Sequence, residues 1–125
     1  MAEIKRLGVT RRWSDAVVFQ NTAYFVEVPD DPTLLPDEQF AMLFRQVESR
    51  CAELGTSIRN LMQVLIYLPY PEDLSEFNRL WDAWIPEGCA PVRACCHPAL
   101  ADPGYRAELI ITAMVPPPDS KPSVA

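Results

Sequence analysis

Few residues in this 125-residue chain have the type and setting to do chemistry. Arg93 stands in the run Pro91-Val92-Arg93-Ala94-Cys95-Cys96, at the start of an apolar strand. An arginine there needs a partner, because an unpaired buried charge is strongly disfavoured. Its planar guanidinium fits a carboxylate bidentately. That carboxylate is either internal, Glu108 or Asp82, or belongs to a ligand. Glu108 lies within Ala107-Glu108-Leu109-Ile110-Ile111. Apolar flanks predict partial burial, which raises a carboxyl pKa toward values suited to proton transfer, whereas a neighbouring Arg93 would lower it. The alternative for Glu108 is an outward-facing edge residue. Cys95 is a nucleophile or a packed thiol, and no cation or histidine at a telling spacing favours the first. His97, the sole histidine, is followed by Pro98 and reads as structural or exposed.

Other chemistries find no residues. With four glycines in all, there is no glycine-rich phosphate loop. The four cysteines, Cys51, Cys89, Cys95 and Cys96, include no C-x-x-C pair, so no metal site is expected. The net charge of −6 and a pI near 4.7 disfavour nucleic acid, whose phosphates call for a basic surface. The one basic cluster is Lys5, Arg6, Arg11 and Arg12. No apolar stretch is long enough for a bilayer, and Met1 to Arg12 lacks a signal-peptide core. A cytoplasmic protein with reduced thiols is expected.

The positioning elements can be read from periodicity. Ala16-Val17-Val18-Phe19 and Ala23-Tyr24-Phe25-Val26 flank the polar pair Gln20-Asn21, a hairpin pattern. Phe40, Leu43, Phe44, Val47, Cys51 and Leu54 share one face of a helix that starts near Pro36 and ends at Gly55. Leu61 to Leu68 is short enough for a buried strand. Leu74, Phe77, Leu80, Trp81 and Trp84 mark a second helix, stopped by Pro86 and Gly88. Val92 to Cys96 and Ala107 to Met114 complete the strands, with an added edge strand at Ile4 to Val9. This order predicts a two-layer α+β domain over residues 1–115, a mixed sheet with two helices on one face. The proline-rich tail, 116–125, is expected to be disordered. Val17-Val18-Phe19 and Leu65-Ile66 are apolar at consecutive positions, so both sheet faces call for cover. No third helix is available, and contact between copies of the chain is the natural cover.

From about Arg12 to Val115 the chain resembles the RidA (YjgF-type, endoribonuclease L-PSP) family. Ala90-Pro91-Val92-Arg93-Ala94-Cys95 is similar to its Pro-Ala-Arg-Ser-Cys signature, and Glu108 follows Arg93 at the family spacing. Asp73-Leu74-Ser75-Glu76-Phe77-Asn78 with Trp81 and Trp84 resembles the family's second helix. The resemblance implies a chorismate-mutase-like fold and a homotrimer with an inner barrel-like core. It implies three sites between subunits where imines or enamines bearing a carboxylate are hydrolysed without a cofactor. Arg93 would hold the carboxylate, backbone groups around Cys95 would assist, Glu108 would activate water, and Asn78 matches a polar position near the site. Two places depart from the pattern. Val26-Glu27 replaces a glycine-containing pair, placing bulk and charge near the site. Trp13 or Ser14 stands near the family's cleft-lining tyrosine. The alternatives are a carboxylate-binding module without turnover and, less favoured by the acidic charge, an RNA-cleaving or translation-inhibiting protein.

Overall fold

A computed structural model of the chain describes residues 3–118. Six strands form one mixed sheet: β1 (Lys5–Leu7), β2 (Ala16–Phe19), β3 (Thr22–Glu27), β4 (Leu61–Tyr67), β5 (Val92–Cys96) and β6 (Glu108–Met114). Their spatial order is β1-β2-β3-β6-β4-β5. Only β4 and β5 pair in parallel, through a crossover that contains a helix. The helices α1 (Pro36–Leu54) and α2 (Leu74–Trp84) cover one face. The expected strands and helices are therefore present. The N-terminal edge strand is shorter than Ile4 to Val9, because the chain turns at Gly8, where φ is 61°. The expectation for the tail falls, beyond Pro118, outside the described residues.

Local chemistry accounts for the ends of these elements. In the hairpin turn Gln20 adopts φ 55° without help from glycine. The turn is held from outside: Asn21 Nδ2 donates to the Val115 carbonyl at 3.0 Å, and Val115 N–H donates to the Asn21 carbonyl at 2.7 Å. Pro36 opens α1, where its missing N–H matters least, and the Glu38 carboxylate accepts from Leu35 N–H at 3.1 Å. Gly55 closes α1 in the left-handed region at φ 80°. The six apolar α1 positions are all buried, and so is Gln39.

Gln39 is a polar member of the core with complete bonding. Its Nε2 lies 3.0–3.2 Å from the carbonyls of Pro32, Leu34 and Gly104, and its Oε1 accepts from Arg106 N–H at 2.9 Å. This ties the loop before β6 to the loop before α1. Gly104 permits the approach, since a Cβ there would meet the Pro32 oxygen at 2.8 Å.

Register assigns the faces. Val64 and Ile66 point at the helices and are at most 1% exposed, while Met62, Gln63 and Leu65 are not buried. An irregularity between Leu61 and Gln63 lets both Leu61 and Val64 face inward despite their odd spacing. On the other face Tyr24 and Val26 are 50% and 47% exposed. Of the residues expected to need cover on that face, Phe19 is 42% exposed, whereas Val17 and Leu65 are half-buried in the single chain.

Candidate active site

Arg93 is carried by β5, the edge strand, opposite Val64. It therefore faces the helices. Its guanidinium carbon lies 5.1 Å from the centroid of Trp81 and 5.8 Å from that of Phe77. Its Nη2 donates to Asn78 Oδ1. All three contacts come from α2, where positions 77, 78 and 81 bring two rings and an amide toward the strand. The expected internal carboxylate, Glu108 or Asp82, is not the partner. Among the described residues, no ion pair involves Arg93. An amide and two ring faces orient the cation without neutralising it. Such ring contacts contribute about 0.5–2 kcal/mol each.

Cys95 is next on the same face, two residues along β5, and is exposed. Burial pushes its thiol pKa up from 9.0, against the opposing pull of Arg93. It is a thiol at neutral pH, which disfavours the nucleophile. Among the described residues one side of β5 has no neighbouring strand, so backbone N–H groups beside Arg93 and Cys95 are open to a ligand. His97 is exposed and its Nδ1 sits 2.7 Å from the Leu68 carbonyl. The carbonyl only accepts, so Nδ1 is the donor.

Glu108 pairs with Tyr67 at the start of β6. Tyr67 alternates with Ile66, so Glu108 lies on the open face, opposite to Arg93. Burial raises its pKa above 4.5, and no compensating partner is present. The expected lowering by Arg93 does not occur, because the sheet separates the two groups. One chain does not assemble Arg93 and Glu108 into one site.

The two departures from the family pattern are also placed. Glu27 is on the helix face, 8% exposed, and accepts from Gln46 Nε2 at 3.1 Å and Arg50 Nε at 3.3 Å. Burial raises its pKa, and Gln46 and Arg50 offset part of that. It lies three strands from Arg93, roughly 14 Å at ordinary strand spacing. Its charge is thus engaged by α1. Val26 points to the open face opposite Ile110. Trp13 is 59% exposed in the β1–β2 loop, with Nε1 3.2 Å from Asp15 Oδ1. That loop is at least four strands from β5, about 19 Å. Within one chain neither Glu27 nor Trp13 reaches Arg93.

Sequence reasoning missed the ring cradle under Arg93 and the clamp beside it. Arg106 donates from Nε and Nη2 to both oxygens of Asp73, at 2.7 and 2.9 Å, and stacks on Tyr70 at 3.9 Å. Asp73 begins α2, so the clamp links the Glu108 strand to the helix that holds Arg93. A pair separated by 33 residues leaves no local signal. Among the described residues no group of acidic, cysteine or histidine side chains is arranged for a metal, and no helix is long and apolar enough to cross a membrane. A cleft of about 950 Å³ lies between the hairpin turn and the end of α1, away from Arg93 and Glu108.

Comparisons with known proteins agree with this fold. The RutC family protein YoaB of Escherichia coli K12 is 33% identical over 112 residues, covering 90% of this chain and 98% of its own. A YjgF family protein from Neisseria meningitidis superposes with a TM-score of 0.87 at 34% identity, over 92% of this chain and 97% of that one. An uncharacterized Pseudomonas aeruginosa protein gives 0.88 at 32% identity, over 91% and 100%. The family model for Endoribonuclease L-PSP matches residues 3–115. The chain therefore belongs to the YjgF/RidA, or endoribonuclease L-PSP, family.

Proposed function

We propose that this protein hydrolyses imines or enamines that bear a carboxylate, giving a keto acid and ammonia, at sites formed where copies of the chain meet. The observation that carries the reading is Arg93: an oriented cation with no ion-pair partner among the described residues. A substrate carboxylate supplies the missing counter-charge.

The imine carbon is already electrophilic, so the protein has only to position water and move protons. Water oxygen bonds to that carbon while Glu108 takes a water proton. The nitrogen, protonated, becomes the amine of a carbinolamine. Glu108 returns the water proton to that nitrogen, then takes the hydroxyl proton and delivers it to the same nitrogen as the C–N bond breaks with its electrons going to nitrogen, so that the carbonyl forms and ammonia leaves. A carboxyl with a raised pKa suits both taking and returning the proton. Cys95, held as a thiol, contributes through its backbone.

Arg93 and Glu108 of one chain face opposite sides of its sheet. Joint action therefore requires Glu108 from a neighbouring copy, and the exposed apolar side of the sheet supports such contact. The family resemblance favours a homotrimer.

The test is hydrolysis of 2-iminopropionate, generated in situ by an amino-acid oxidase. Wild type should accelerate it, and Arg93→Ala should lose about 30-fold or more while remaining folded. Equal rates for the two proteins overturn the role of Arg93. Tight pyruvate binding without acceleration replaces the enzyme by a carboxylate-binding module.

A further inference from the structure

We propose that Trp81 is the positioning residue of the site: its indole face orients the Arg93 guanidinium and thereby sets the affinity for a carboxylate. This rests on the carboxylate-binding role of Arg93.

A guanidinium on a flexible stem binds a carboxylate well only if its donor edge is held in place beforehand. Two contacts do this here. Asn78 takes one in-plane N–H, which fixes rotation within the guanidinium plane. A ring face fixes the plane itself. Trp81 is the nearer ring, at 5.1 Å against 5.8 Å for Phe77, and indole is the stronger cation acceptor.

Trp81 suits the task because it cannot turn. It is 5% exposed and meets Phe44 and Trp84 edge-on, with centroids 6.2 and 5.7 Å away. Trp84 is itself stacked on Phe44 at 4.3 Å with an interplanar angle of 4°. Phe77 also lies against Trp81, 6.0 Å away, so Trp81 keeps two of its three ring neighbours when Trp84 is replaced. A tryptophan that only filled the core would have no effect on Arg93 beyond general loss of stability.

The experiment compares wild type, Trp81→Phe, Trp81→Leu and, as control, Trp84→Leu, which disturbs the same aromatic cluster without removing a ring from Arg93. Nuclear magnetic resonance follows the Arg93 Nε–H signal, identified by its loss in Arg93→Lys, and pyruvate titration follows binding. The wild-type signal should show a ring-current displacement that Trp81→Leu removes and Trp84→Leu keeps. Pyruvate binding should weaken about five- to tenfold in Trp81→Leu and about two- to threefold in Trp81→Phe, with Trp84→Leu close to wild type. An unmoved Arg93 signal in Trp81→Leu, or equal weakening in both leucine variants, overturns the proposal. If the leucine variant does not fold, Trp81→Phe decides, and wild-type affinity there overturns it. A displaced Arg93 signal with no pyruvate binding to wild type instead overturns the carboxylate role and leaves the hold of Trp81 on Arg93 supported.

Discussion

The two faces of the sheet are built from similar residues and meet different fates. Ala23, Phe25, Ile66, Leu109 and Ile111 face the helices and are at most 3% exposed. Their strand neighbours Phe19, Tyr24, Val26 and Met114 face away and are 37–50% exposed. Burial against α1 and α2 stabilises the first set by about 1.5–3 kcal/mol per large side chain. The second set obtains nothing comparable within one chain, and a contiguous apolar surface of this kind marks an interaction site. The covered face makes the fold and holds Arg93. The open face carries Glu108. Function on the proposed reading needs both.

Substitutions can break this contrast, beginning with the largest effect on the fold. Phe40→Ala removes a fully buried ring that α1 contributes to the core over the covered face and should lose about 3–5 kcal/mol in urea unfolding. A loss below about 1 kcal/mol would mean that the covered face is not the stabilising one. Asp73→Asn leaves Arg106 without its ion pair and should lose about 1.5–3 kcal/mol, with β6 amides exchanging faster. Unchanged exchange would show the clamp to be idle.

Glu108→Gln should have a smaller effect on stability, of opposite sign. Its carboxyl pKa is raised, so the stability it contributes is full below the ordinary value of 4.5 and is lost as pH rises through the raised folded value. The glutamine variant should melt like wild type in acid and slightly higher at neutral pH, although it hydrolyses imines slowly. The same difference in melting temperature at both pH values would contradict the assignment. Val26→Lys, on the open face, should leave the chain folded and lower the mass seen by light scattering to that of one chain. Unchanged mass would remove the open face from assembly.

Much of the fold was legible because its signals are local. The α1 apolar positions recur at helical spacing between Pro36 and Gly55, and β5 is a short, mostly apolar run after a proline. Consecutive apolar residues such as Val17-Val18-Phe19 also marked a sheet with apolar side chains on both faces. The site was less legible. Arg93 and Glu108 are 15 residues apart on strands separated by β4, so their faces depend on two pairing registers, Arg93 with Val64 and Glu108 with Tyr67. Spacing along the chain contains none of that. Trp81 stood out only as part of a helix and Asn78 only through the family resemblance, and their contact with Arg93 arises from how α2 lies on β5. Gln39, inside an apolar stripe, gave no sign that it would bind three carbonyls.

The most direct test mixes two inactive proteins. Arg93→Ala and Glu108→Gln chains are unfolded together, refolded together and assayed on 2-iminopropionate. If each site takes Arg93 from one copy and Glu108 from the next, mixed assemblies contain some sites with both native residues, and activity returns to a substantial fraction of wild type. If both residues act from the same chain, every site carries one substitution and the mixture stays as inactive as its parts.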